Sequence, residues 1–192
     1  MNRLYEEICS SLVEDGYCII SDAFDARLAE GLLDFAQSEK AYTRAGISSS
    51  NAQHTDMKRR RDKILWLDKD NGVQSEFLSL MSGLQAYLNR NLFLGLSYYE
   101  SHFAIYEEGD FYEKHVDAFK HSKNRVVTSV YYLNSTEGGE LLVYDEEDTL
   151  LKTVAPQSNK LVIFLSDKFP HEVLAAKSTR HSIAGWFRVD KI

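Results

Sequence analysis

With 192 residues, 44% of them hydrophobic and 27% charged, the chain is long enough for a substantial core and has the composition of a globular protein. A net charge of −7 argues against general affinity for nucleic acid or an anionic membrane surface. Cys9 and Cys18 are too few for a disulfide framework, and neither a signal-peptide core nor a spanning apolar run is present, so a cytoplasmic protein is expected.

Leu4, Ile8 and Leu12 recur at helical spacing and predict an amphipathic helix over residues 3–14, stopped by Asp15-Gly16. Tyr17-Cys18-Ile19-Ile20 reads as a short buried strand. Turn chemistry follows, then a second helix over residues 26–38 with Leu28, Leu32, Phe35 and Ala36 toward the core. Residues 39–62 have no clear period. They contain the small, polar run Ala45-Gly46-Ile47-Ser48-Ser49-Ser50-Asn51 and the basic run Lys58-Arg59-Arg60-Arg61, as a lid or binding loop would. Residues 62–68 read as a strand, Asp70-Asn71-Gly72 as a turn, and residues 74–90 as a third helix carrying Phe77, Leu80, Met81, Leu84 and Leu88 on one side.

From residue 96 onward the pattern is strand after strand. Residues 97–106 alternate, with Tyr98, His102, Ala104 and Tyr106 on one face. Further strands are expected over 111–117, 125–133, 140–144, 150–154, 160–165, 172–174 and 182–189. Helices first and strands after give an α+β fold: a jelly-roll (double-stranded β-helix) core with N-terminal helices packed on one sheet. One domain is expected over residues 1–192, with 1–95 as helical support and mobile loop and 96–192 as the catalytic core.

The chemistry centres on His115-Val116-Asp117. On a strand, residues i and i+2 project together, so an imidazole and a carboxylate can grip one divalent metal. A third ligand is needed downstream, and His171 in Phe169-Pro170-His171-Glu172-Val173 is the best candidate. Two His and one carboxylate on one face of a metal favour non-haem Fe(II) and dioxygen chemistry. Arg180, nine residues later, offers a planar fork for the carboxylate of a co-substrate. Thr128, Val130 and Tyr132 share one strand face, as do Arg180, Ser182, Ala184 and Trp186. His54, His102, His121 and His181 fit no metal spacing and read as structural or surface residues.

These residues carry a resemblance. The stretch 106–188 resembles the catalytic core of the 2-oxoglutarate/Fe(II) dioxygenases, in the prolyl 4-hydroxylase branch with the oxygen-sensing prolyl hydroxylases and their bacterial relatives. It rests on Tyr106, Tyr112, His115 and Asp117, on Arg125-Val126-Val127-Thr128-Ser129-Val130-Tyr131-Tyr132-Leu133-Asn134, on Gly138-Gly139-Glu140-Leu141, on Phe164 through Val173, and on Thr179-Arg180 through Trp186-Phe187. Upstream, Arg61-Asp62-Lys63-Ile64-Leu65-Trp66 resembles the strand after those enzymes' mobile loop. The resemblance implies Fe(II) held by His115, Asp117 and His171, and 2-oxoglutarate as co-substrate, with ascorbate as an auxiliary reductant. It implies that Arg180 and Tyr132 hold the distal carboxylate, that Thr128, Leu141, Val173 and Trp186 line the co-substrate pocket, and that Tyr106 and Tyr112 sit near the metal. With Arg60 and Arg61 from the basic run, Tyr112 is expected on the substrate side. The implied reaction is hydroxylation of a prolyl residue of a protein or peptide by dioxygen. The alternatives are hydroxylation of a free amino acid or small metabolite, and a non-catalytic metal-binding jelly-roll module.

Overall fold

A computed structural model describes residues 1–49, 52–54, 59–118 and 124–190. Lys58 of the basic run, His121 and most of the segment before Arg125 lie outside the described residues. The elements run, in order, α1 (Asn2–Glu14), β1 (Tyr17–Ile20), α2 (Ala26–Ser38), β2 (Thr43–Arg44), β3 (Ile47–Ser49), β4 (Ala52–His54), β5 (Lys63–Trp66) and α3 (Gly72–Leu92). Then come β6 (Tyr98–Tyr106), β7 (Tyr112–His115), β8 (Arg125–Tyr132), β9 (Leu141–Tyr144), β10 (Leu150–Val154), β11 (Lys160–Leu165), β12 (His171–Val173) and β13 (Arg180–Arg188).

Two antiparallel sheets form the expected jelly roll. The larger has the order β1-β11-β8-β13-β6-β5-β2 and the smaller β10-β9-β12-β7. Alternation decides which sheet face each side chain serves. On β8, Val127 and Tyr131 point to the helices, while Thr128, Val130 and Tyr132 point to the small sheet. On β13, Ile183 and Phe187 join the helical side, and on β6 so does Phe103. The helices cover that face with Ile8, Leu12, Leu28, Leu32, Phe77, Met81, Leu84 and Leu88, all buried. Each such side chain contributes roughly 1.5–3 kcal/mol by leaving water. A second apolar layer between the sheets holds Val130, Tyr132, Leu141, Val143, Val162, Phe164, Phe169 and Val173. It fills one end of the space and leaves the other open as a pocket.

Caps set the helix starts. The Asp25 carboxylate accepts from the Arg27 amide at 2.9 Å, and the Asn71 side chain accepts from the Gln74 amide at 3.4 Å. The stretch 39–62, which shows no period, contains three short strands among its described residues. β2 pairs with β5 at the edge of the large sheet, and β3 pairs with β4 as a hairpin. Runs of two or three residues are too short for alternation to reveal. The N-terminal half is therefore more than helical cover, since β1 and the β5-β2 pair extend the large sheet at its two ends.

Candidate metal and co-substrate site

The smaller sheet brings two of the predicted metal ligands together. β7 and β12 pair antiparallel with His115 directly opposite His171, and their ring centroids lie 4.3 Å apart. Asp117, just past the end of β7, turns its carboxylate between them. His115 Nε2 lies 3.7 Å from Asp117 Oδ1, and His171 Nε2 lies 3.6 Å from Asp117 Oδ2. One donor atom from each residue falls within 4.8 Å of the others.

Each group is held in the state a metal requires. His115 Nδ1 hydrogen-bonds the Glu113 carbonyl at 2.8 Å, and His171 Nδ1 the Phe169 carbonyl at 3.0 Å. A carbonyl only accepts, so in both rings Nδ1 carries the proton and the Nε2 lone pair faces the shared centre. Burial, reinforced by the neighbouring His171, lowers the His115 pKa and keeps that ring neutral. Burial would raise the Asp117 carboxyl, but His171, His115 and Arg125 outweigh it and hold it below its ordinary range. Thr128 Oγ1 donates to Asp117 Oδ2 at 2.8 Å and so fixes the plane of the carboxylate.

The pocket that opens beside this cluster offers about 60 Å³ to the centres of water-sized occupants. At its far end lies Arg180, 2% exposed. Its Nη1 donates to the Gly139 carbonyl at 3.0 Å and its Nη2 to Ser182 Oγ at 3.2 Å, while Nε makes no hydrogen bond. No carboxylate among the described residues forms an ion pair with it. A buried guanidinium without a counter-ion is costly, so the pocket is electrostatically incomplete until an anion enters. The Tyr106 and Tyr132 rings flank the guanidinium at 4.4 Å and 5.0 Å, and the buried Tyr132 hydroxyl also lacks a partner. Gly138 and Gly139 both take left-handed backbone, at φ +70° and +69°. A Cβ on Gly139 would stand 3.2 Å from Arg180 Cδ, so this turn needs glycine to bring its carbonyl to the arginine. The donor set therefore fits a divalent iron, and the lone cation with its free phenol fits the far carboxylate of 2-oxoglutarate.

Most residues expected at the site line this pocket: Tyr106, Tyr112, Thr128, Leu141, Val173 and Trp186. Tyr132 stands beside Arg180, fully buried. Arg60 lines the rim with its guanidinium 4.7 Å from the centre of the Tyr112 ring, and Arg61 stacks over Phe111.

Three ionisable lining residues, His102, Arg125 and Asp62, had no assigned role. His102, read as structural, is buried in the pocket wall, and burial pushes its pKa down to about 4. Its place on the Tyr106 face of β6 was the available signal. Arg125 reaches within 3.7 Å of Asp117 and lies over the Trp186 ring at 3.8 Å. Asp62 is buried and grips Arg60. Nothing in the local pattern marked either of these.

Comparison with known proteins gives the same picture. Residues 101–188 match the family described as the 2OG-Fe(II) oxygenase superfamily. A Pseudomonas putida prolyl-4-hydroxylase is 31% identical, superimposes with a TM-score of 0.87, and is matched over 98% of this chain and 100% of that one. A Trichoplax adhaerens prolyl hydroxylase, solved with a peptide fragment of the hypoxia inducible factor oxygen degradation domain, is 25% identical. Its TM-score is 0.85, with coverage of 97% and 89%. A Caenorhabditis elegans hypoxia-inducible factor prolyl hydroxylase is 36% identical over 91 residues, 44% of this chain but only 12% of that protein's length.

Proposed function

Because this chain belongs to the 2OG-Fe(II) oxygenase superfamily, among relatives of the prolyl 4-hydroxylases, we propose that it hydroxylates a prolyl residue of a protein or peptide. The observation that carries the reading is the pairing, in one pocket, of the His115–Asp117–His171 cluster with an uncompensated buried Arg180. Bound at that cluster, Fe(II) supplies dioxygen activation, with 2-oxoglutarate as the two-electron reductant. One oxygen atom ends in the product alcohol and the other in succinate, and carbon dioxide is released.

The chain's own residues position and protect. His115, Asp117 and His171 hold the metal through two Nε2 atoms and a carboxylate oxygen, and Thr128 keeps that carboxylate in place by its hydrogen bond. Arg180 takes the distal carboxylate of the co-substrate by charge-assisted hydrogen bonds, and the Tyr132 hydroxyl donates to the same group. Tyr106 covers the guanidinium, and Leu141, Val173 and Trp186 wall the co-substrate against water. Tyr112, nearer the metal than the clamp, faces the incoming substrate.

The prolyl assignment draws on the two prolyl hydroxylase relatives and on the peptide bound to one of them. Residues 1–192 are taken as one unit, with 96–192 as its catalytic core. No described helix is long and apolar enough to cross a membrane. We place the enzyme in the cytoplasm, where Cys9 and Cys18 stay free, and take ascorbate as an auxiliary reductant with no residue assigned to it.

The test is succinate formation by purified protein with Fe(II) and 2-oxoglutarate. A panel of proline-containing peptides should raise it, with one added oxygen on the peptide by mass spectrometry. Stimulation by free proline alone would move the substrate to a small metabolite. No 2-oxoglutarate turnover under any condition would remove the enzyme altogether.

A further inference from the structure

Arg59, Arg60 and Arg61 form the most basic run in the described chain, at the end of the stretch expected to be a lid or binding loop. The structure gives it a different task. β7 is the outer strand of the small sheet, with β12 as its neighbour among the named strands. Residues 59–61 run antiparallel along its free side. The Glu113 amide donates to the Arg59 carbonyl at 2.8 Å and the Arg61 amide to the Phe111 carbonyl at 3.1 Å, with Arg60 paired opposite Tyr112.

Each arginine also engages the residue it faces. Arg59 Nε lies 3.3 Å from the Glu113 carboxylate, and the Arg61 guanidinium lies 4.8 Å from the Phe111 ring centre. The Arg60 guanidinium, 4.7 Å from the Tyr112 ring centre, is locked by two hydrogen bonds to the buried Asp62 carboxylate, at 2.6 Å and 2.8 Å. The column continues inward. The Tyr112 ring stacks on the His115 imidazole at 3.7 Å between centroids and 19° between planes. Arg60, Tyr112 and His115 thus form one stack, from a cation fixed at the base of β5 to the ring that turns its Nε2 toward the metal centre.

We infer that residues 59–61 are a strap on the strand carrying His115, and that Arg60 and Tyr112 are positioning residues for that ligand. The inference rests on the metal-site reading above. The strap supplies what a lone outer strand lacks, namely hydrogen bonds on its second side and a surface that fixes the plane of its imidazole. Coupling of this kind is reciprocal, so metal binding stabilises the strap by as much as the strap tightens metal binding.

The experiment is anaerobic titration of apoprotein with Co(II), followed by the visible absorption bands of the bound ion. Arg60→Ala and Tyr112→Leu should each bind Co(II) about tenfold more weakly, with altered bands, as expected for removing a partner that orients a ligand. Tyr112→Phe keeps the stacking ring and should rescue both affinity and spectrum. Arg27→Ala, which breaks an exposed ion pair with Glu76, should change neither. Arg60→Lys keeps the charge without the planar fork and serves if Arg60→Ala fails to fold; it too should weaken binding. In the wild type, Co(II) should slow hydrogen exchange at the Glu113 and Arg61 amides. Wild-type affinity and spectrum in folded Arg60 and Tyr112→Leu variants, or unchanged exchange at those amides, would overturn the strap. Failure of the wild type itself to bind Co(II) would instead bring down the metal-site reading.

Discussion

Arg180 stands on β13, with β8 hydrogen-bonded on one side and β6 on the other along nearly the whole strand. His115 stands on β7, which among the described residues pairs with the three-residue β12, across a register shift, on one side and with the short run 59–61 on the other. The co-substrate end of the pocket is thus built into the middle of the larger sheet, and the metal end into the margin of the smaller one. His171 lies between these extremes. Its strand has neighbours on both sides, and Phe164 packs edge-on against its ring at 4.8 Å. A site of this kind puts its rigid part where a carboxylate must be recognised. Its more adjustable part lies where a metal supplies binding energy of its own.

The bluntest way to break the contrast is to remove a ligand. His171→Ala should abolish metal binding and 2-oxoglutarate turnover together while leaving a folded protein. Metal content after anaerobic loading and succinate assay check this. A His171→Ala protein that loaded iron and turned over normally would show that the centre lies elsewhere. Arg180→Ala should act at the other end alone. Truncating one side of a buried charge pair weakens 2-oxoglutarate binding by about 100-fold, and metal affinity should not follow. If Co(II) affinity fell in parallel, the two ends would not be independent, and the comparison would fail with them.

Much of this arrangement was legible in the sequence, and the reason is alternation. Thr128, Val130 and Tyr132 had to share a face, as did Arg180, Ser182, Ala184 and Trp186. Those two faces lie side by side on the larger sheet, with Ser182 opposite Tyr132, Ala184 opposite Val130 and Trp186 opposite Thr128, and together they form one wall of the pocket. His115 and Asp117 were expected to share one strand face, but β7 ends at His115 and Asp117 reaches the centre from the bend beyond it; His171 was the downstream imidazole with a strand beside it. What stayed hidden depends on pairing between distant segments. Arg59, Arg60 and Arg61 meet Glu113, Tyr112 and Phe111 about fifty residues away. A period of two says nothing about which segment lies alongside which. For the same reason Arg125 showed no sign of its approach to Asp117, and β2 is too short for any period at all.

Metal removal sharpens the contrast at smaller amplitude. A ligand bound only by the folded state at 100 times its Kd adds about 2.7 kcal/mol, so chelation should lower Tm by roughly 5–10 °C in a chain of this size. Scanning calorimetry with and without Co(II) measures the shift, and hydrogen exchange locates it. Loss of protection should concentrate in β7 and residues 59–61 and leave β13 nearly unchanged. Loss spread evenly over both sheets would mean that the margin is no softer than the middle.

The smallest effect expected belongs to Tyr132. Its hydroxyl is buried beside Arg180 without a hydrogen-bond partner, on a strand paired along both sides. Tyr132→Phe removes one oxygen and leaves the ring, so packing should hold and the stability of the free protein should not fall. A buried hydroxyl with nothing to bond already costs energy, and losing it removes that cost. Only the co-substrate complex should suffer, by about 1–1.4 kcal/mol or some five- to tenfold in the KM for 2-oxoglutarate, with kcat at saturation retained. A fall in kcat at unchanged KM would mean that the phenol acts on the reacting end rather than on the distal carboxylate. Equal losses of stability and affinity would mean that it serves the sheet and not the ligand.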